Sequence, residues 1–220
     1  SPVRNSPQAG LSLAETVGPH TLNLAMKKAE IILGIIALIT LILNFLLIPG
    51  GSIFSALSLS ALSIFYMYLS FALFNDIRLR RTFKKESYKG KSPKRILGAV
   101  LTGFALSFTT LGILFKFQSW PGSIIMLVIG ILGLTIVLAV GLIRFSNNNS
   151  KYYKRIFRRI AIFGGLGFIL VLLPPETWLE LKYRNHPEYV IAVKKALANP
   201  DSQELWDKVE EERDKMNEVN

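Results

Sequence analysis

The sequence predicts an all-α, polytopic membrane protein with about five transmembrane helices, two helical hairpins plus one, and a short helical C-terminal tail. Three observations predict it. Half of the 220 residues are hydrophobic and the mean hydropathy is +0.38, yet the formal charge is +11. The apolar residues are gathered into runs with the charges between them, whereas a soluble domain would interleave the two at helical or strand period. Four of the runs, 31–48, 53–74, 96–115 and 123–143, approach or exceed the roughly 20 residues that an α-helix needs to cross a hydrocarbon core. Finally, the runs are paired across short tips that contain Pro-Gly, Pro49-Gly50 and Pro121-Gly122. Proline cannot continue the preceding helix and glycine relieves the reversal.

Composition also excludes chemistry. Cysteine is absent, which removes disulfides, iron–sulfur clusters and thiolate metal sites, and the two histidines, His20 and His186, lie outside the apolar runs. No metal site, cofactor site or catalytic constellation is expected, because no nucleophile, base and orienting acid can be assembled. Gly164-Gly165-Leu166-Gly167 is no nucleotide loop, since it sits inside an apolar run without a preceding strand.

Taken in order, residues 1–28 read as an N-terminal tail, rich at first in Pro, Ser and Gly, and 29–75 as the first membrane hairpin. Ser55, Ser58 and Ser63 on its second helix are expected to serve close packing, since small residues let helices approach in lipid. Residues 76–95 form a basic loop. Its cations, Arg78, Arg80, Arg81, Lys84 and Lys85 among them, should stay on the cytoplasmic side and contact anionic lipid headgroups. Few aromatics are interleaved with them, so nucleic acid is not an expected partner.

The second hairpin, 96–143, reads as a diverged copy of the first. Leu47-Ile48-Pro49-Gly50 corresponds to Ser119-Trp120-Pro121-Gly122 at an offset of 72, and Ile32-Leu33-Gly34 to Ile96-Leu97-Gly98 at an offset of 64. At its tip, Lys116 is expected either to snorkel as an anchor beside Trp120 at the membrane boundary or, helped by Gln118, to contact lipid phosphate, an anionic ligand or a partner carboxylate. A second basic loop, 144–159, places Arg158 and Arg159 at the headgroups. The fifth helix, 160–175, offers only 14 uninterrupted apolar or small residues from Ile160 to Leu173. Snorkelling Arg158 and Arg159 at one end and an anchoring Trp178 at the other are expected to complete the span, the alternative being a re-entrant or surface segment that would leave the tail in the cytoplasm. The tail, 176–220, carries eleven acidic against seven basic residues. It should hold one helix from Pro187 to about Ala198 and another opened by Asp201 or Ser202. Leu205, Val209, Met216 and Val219 give the last helix an interaction face. The N-terminus and basic loops are expected inside a bacterial inner membrane, with the Pro-Gly tips and the tail outside.

Leu114-Phe115-Lys116-Phe117-Gln118-Ser119-Trp120-Pro121-Gly122, followed by Ile125-Met126-Leu127 and Gly130, resembles the membrane hairpin of GldL-like proteins of the gliding-motility and type IX secretion apparatus of Bacteroidota. The five-helix layout fits uncharacterised relatives better than GldL. The resemblance implies a helical hairpin within an inner-membrane complex. In GldL itself that hairpin belongs to a proton-driven motor with a single-span partner and a central intramembrane glutamate. None of the five apolar runs, 31–48, 53–74, 96–115, 123–143 and 160–173, holds Asp, Glu or His. The architecture is therefore carried over and the motor is not. The expected function is a non-catalytic subunit that scaffolds an envelope complex, its partners being other membrane or periplasmic proteins and anionic lipids. The alternatives are a small transporter or channel component and a GldL-like stator.

Overall fold

A computed structural model describes residues 19–75, 77, 92–147 and 151–219, and these are helical with short connections. Four helices are long and apolar enough to cross a membrane: α1 (Pro19–Phe45), α2 (Gly51–Phe74), α3 (Pro93–Phe117) and α4 (Ser123–Asn147). The fifth, α5, joins Lys151–Arg159, a π-helical turn Ile160–Gly164 and Gly165–Leu172. Three shorter helices follow: α6 (Pro175–Lys182), α7 (Pro187–Ala198) and α8 (Gln203–Val219). Arg78, Arg80, Arg81, Lys84 and Lys85 lie outside the described residues.

The two hairpins share one type of turn. At the first tip the Leu47 N–H donates to the Asn44 carbonyl (3.2 Å) and the Ile48 N–H to the Leu43 carbonyl (3.0 Å). Ser119 to Lys116 (3.1 Å) and Trp120 to Phe115 (2.8 Å) repeat the pattern at the second. This is the paired-carbonyl stop in which the first residue past the helix turns left-handed. Leu47 and Ser119 both have φ 56°, while Gly50 and Gly122 have φ 82° and 83°. A leucine in that region is unusual, and its recurrence 72 residues before Ser119 gives the duplication a conformational basis. The same offset relates Phe45 to Phe117 at the ends of α1 and α3, and Gly51 to Ser123 at the starts of α2 and α4. Ile32-Leu33-Gly34 and Ile96-Leu97-Gly98 begin 13 and 21 residues before Phe45 and Phe117, so the offset of 64 lies outside the correspondence of the tips.

In space α1, α2, α3 and α4 pack in sequence order, and α5 lies across α3 and α4, with its basic end reaching α2. Small residues set the closest approaches. A Cβ at Gly103 would lie 1.8 Å from the Ser70 hydroxyl, and one at Gly130 would lie 2.5 Å from the Thr109 backbone nitrogen, so α2, α3 and α4 meet at nearly bare backbone.

The stretch 144–159, read from sequence as a loop, is helical to Asn147 and again from Lys151. Five cations occupy the first nine residues of α5, so its apolar part is still Ile160–Leu172, about 20 Å at 1.5 Å per residue, and it is fit to cross a membrane only when joined to α6. It ends at the Pro-Gly tips, so the C-terminal helices share a side with them and lie opposite the ends of α2 and α4 that lead into the basic segments. Pro174-Pro175 does more than stop it. Pro174 leaves the helix in an extended conformation and Pro175 occupies the first turn of α6, which departs at 100°.

Trp178, expected as a lipid anchor, is instead buried (5% exposed). Its ring sits 5.8 Å from Phe45 and 4.8 Å from Phe117, a wedge between the two repeat-related helix ends. The rest of the cap is its own small core, in which Val209 and Met216 of α8 meet Leu179, Tyr183, Val190 and Val193, with Leu205 beside them. The face Leu205, Val209 and Met216 is thus covered by α6 and α7 and not offered outward, while the side chain of Val219 lies outside the described residues.

Lys182, at the end of α6, fastens the cap to the tips by donating to the Phe117 carbonyl at 2.5 Å. Past the end of α6, burial raises the phenols of Tyr183 and Tyr189 above 10, which takes stability away once pH passes 10. Chemical denaturation of the cap, followed by hydrogen exchange in α7 and α8, should show stability falling above pH 10.

Candidate functional site

Polar side chains placed at membrane depth must find partners within the protein, because no water is there to satisfy them. The buried ones of α1 are Glu30, Thr40 and Asn44, which lie within one helical face. The Thr40 and Ser58 hydroxyls are 2.8 Å apart, and the Asn44 amide donates to the Ser55 hydroxyl at 2.7 Å. One helix further on, Ser63 and Ser107 pair at 2.7 Å across α2 and α3. The serines expected only to permit packing therefore also bond across it.

Gln118 and Lys116, expected to face a partner or lipid, are turned inward. Gln118 accepts from the Ser52 hydroxyl at 2.6 Å and donates to the Ser52 carbonyl at 2.7 Å, tying the second tip to the first. Lys116 is 1% exposed and donates to the Leu173 carbonyl at 2.6 Å, satisfying an end of α5 that proline leaves without helical donors. The reason is geometric: the paired-carbonyl turn points both side chains across the tip toward α2 and α5 instead of along the hairpin axis. Trp120 and Pro121 stay exposed, with the indole edge-on to Phe115 at 5.2 Å, and Gly122 keeps the left-handed turn position.

Arg159 departs furthest from expectation. Its guanidinium does not reach the headgroups but is buried, clamping both carboxylate oxygens of Glu30 through Nε and Nη2. The Tyr66 hydroxyl donates to the same carboxylate at 2.9 Å, and Arg159 Nη1 donates to the Arg155 carbonyl at 2.8 Å. The planar fork matches the carboxylate edge, so two charges are neutralised and hydrogen-bonded in one contact. Glu30 lies one residue before the first apolar run and within the first candidate span, Met26–Phe45. The spans are therefore not empty of ionisable groups. The signal in the sequence is periodicity: Glu30, Ala37, Leu41 and Asn44 share a stripe, whereas Lys28 lies on the opposite side of the helix.

Below the ion pair opens a cleft of about 430 Å³ between α1 and α5, floored by Leu59 and Leu62 of α2. Gly34 lies on its α1 wall, where an added Cβ would meet nothing within 4 Å. Arg158 stands exposed at its rim. A carboxylate held by two guanidinium nitrogens and a phenol is positioned to join helices, and the apolar cleft beneath it to take up hydrocarbon. Among the described residues no group of three His, Asp or Glu side chains converges as a metal site would require.

Compared with family models, curated proteins and solved structures, the chain matches none. What the fold carries by itself is the character of an all-helical protein with four, or counting the bent α5–α6 pair five, spans fit for a membrane.

Proposed function

We propose that the protein is a non-catalytic, multi-pass subunit of the bacterial inner membrane that scaffolds an envelope complex, with the gliding or type IX secretion apparatus as the setting to which the GldL-like tip motif points. The observation that supports this reading most is how polar groups are used. From Gln118 to Glu30 they join one helix to another, which makes a rigid body, and the cap presents an acidic outer face on α8 through Glu204, Asp207, Glu210 and Asp214. Such a face suits a basic patch on a neighbour. In this reading the N-terminus is cytoplasmic and the cap periplasmic. Purification in a gentle detergent should bring down stoichiometric partner proteins, and reversing Glu204 and Asp214 to lysine should release them. A monodisperse, partner-free monomer would overturn the scaffold.

A second reading, a transporter component or a GldL-like motor stator, draws on one specific observation, the buried Glu30 beside a cleft. Ionisable groups inside a membrane mark ion pathways often enough to warrant the test. Reconstituted vesicles should carry a proton or solute flux that Glu30→Gln abolishes. With no flux, the scaffold stands alone.

A further inference from the structure

We propose that the cleft between α1 and α5 is a binding site for one acyl chain of an anionic phospholipid, whose phosphate is held at the rim by Arg158. The proposal rests on the membrane reading of the fold and not on any protein partner.

The cleft is a built feature. Helices α1 and α5 are drawn together at one end by the Glu30–Arg159 pair, yet below it they do not close, because Gly34 withholds a side chain from the space between them. From Glu30 to Leu41 the α1 wall extends about 16 Å, a length suited to a hydrocarbon chain. Its volume, about 430 Å³, falls in the range of roughly 300–1,000 Å³ typical of ligand sites. The wall is almost wholly apolar, with Leu38, Ile162, Phe163 and Leu166 facing one another across it. Water is disfavoured in such a space, and at this depth the surrounding medium is hydrocarbon.

Charge fixes the headgroup. Glu30 is already neutralised by Arg159, so it does not repel an anion. Arg158, one residue earlier on α5, is exposed and has no acidic partner among the described residues. A guanidinium at the headgroup end of an acyl-sized cleft matches phosphate through paired N–H donors. A zwitterionic lipid would bring its own cation to the same spot and lose most of that advantage.

The test uses the full chain, purified and delipidated in detergent, then given phosphatidylglycerol, phosphatidylcholine or palmitate as separate probes. Native mass spectrometry and thermal unfolding are the readouts. Phosphatidylglycerol should remain bound through washing and raise the unfolding midpoint. Arg158→Gln should weaken phosphatidylglycerol about tenfold, the worth of one charge-assisted contact, and leave phosphatidylcholine unchanged. Gly34→Phe should fill the cleft, remove bound phospholipid and leave the lipid-free midpoint at or above that of the parent. Gly34→Leu, a smaller plug that favours helix more than glycine does, serves if the phenylalanine fails to fold. Retention of phosphatidylglycerol by a folded Gly34 variant would overturn the site. So would equal retention of phosphatidylcholine by the parent chain, or palmitate matching phosphatidylglycerol. Loss of protein partners in the α8 charge reversals leaves this result untouched, so the two readings fail separately.

Discussion

Replacing Arg159 with methionine should destabilise the protein by about 3–5 kcal/mol, because it strands the Glu30 carboxylate in a buried position. Glu30→Gln should cost nearly as much, since Arg159 then keeps its charge with only neutral acceptors, the glutamine oxygen and the Arg155 carbonyl. The double variant, Glu30→Gln with Arg159→Met, should recover most of the loss. Buried ion pairs contribute little net stability against apolar replacements, and the large penalty belongs to the unpaired charge. The glutamine oxygen also still accepts from Tyr66, which spares a buried hydroxyl. A double-mutant cycle measured by unfolding in mixed detergent micelles would thus give strong non-additivity, with each single variant far worse than the pair. Single variants costing under about 1 kcal/mol would mean that the pair sits in water, which contradicts its burial beside Phe74 and Tyr66.

The pair also shows where the sequence was legible and where it was not. The all-helical class, the four long apolar helices, the hairpin pairing and the Pro187–Ala198 helix follow from local rules, since runs of apolar residues and Pro-Gly breaks act over a turn or two, whereas α6 and the first turns of α5 do not. Even the duplication could be found at its tip, where the same left-handed turn positions go with a shared Pro-Gly dipeptide. What failed were statements about where a long polar side chain goes. Lys116, Gln118 and Arg159 all carry groups that suit an interface or headgroup layer, yet each is spent inside. Their partners, the Leu173 carbonyl, Ser52 and Glu30, lie 57, 66 and 129 residues away in the chain. No periodicity encodes such a pairing. Trp178 failed for the same reason: an indole after a membrane run reads as an anchor until the two phenylalanines that enclose it are brought together by the repeat.

Trp178→Ala should undock the cap. The indole fills the space between Phe45 and Phe117, so truncation leaves a cavity among groups that the repeat holds in place and that have little freedom to collapse, at a cost of about 3–5 kcal/mol. Because α6 to α8 meet the membrane helices through few other contacts, among them the Lys182 bond to Phe117, the loss should be local. Hydrogen exchange in α7 and α8 should quicken by two orders of magnitude or more, at about 1.4 kcal/mol per tenfold, while α2 and α3 stay protected. Trp178→Phe separates shape from polarity. The indole nitrogen has no hydrogen-bond partner, so phenylalanine forfeits only the second ring and should retain most of the docking. Should alanine and phenylalanine behave alike with full protection of the cap, Trp178 would not be the wedge, and the cap would be held by its polar contacts with the tips.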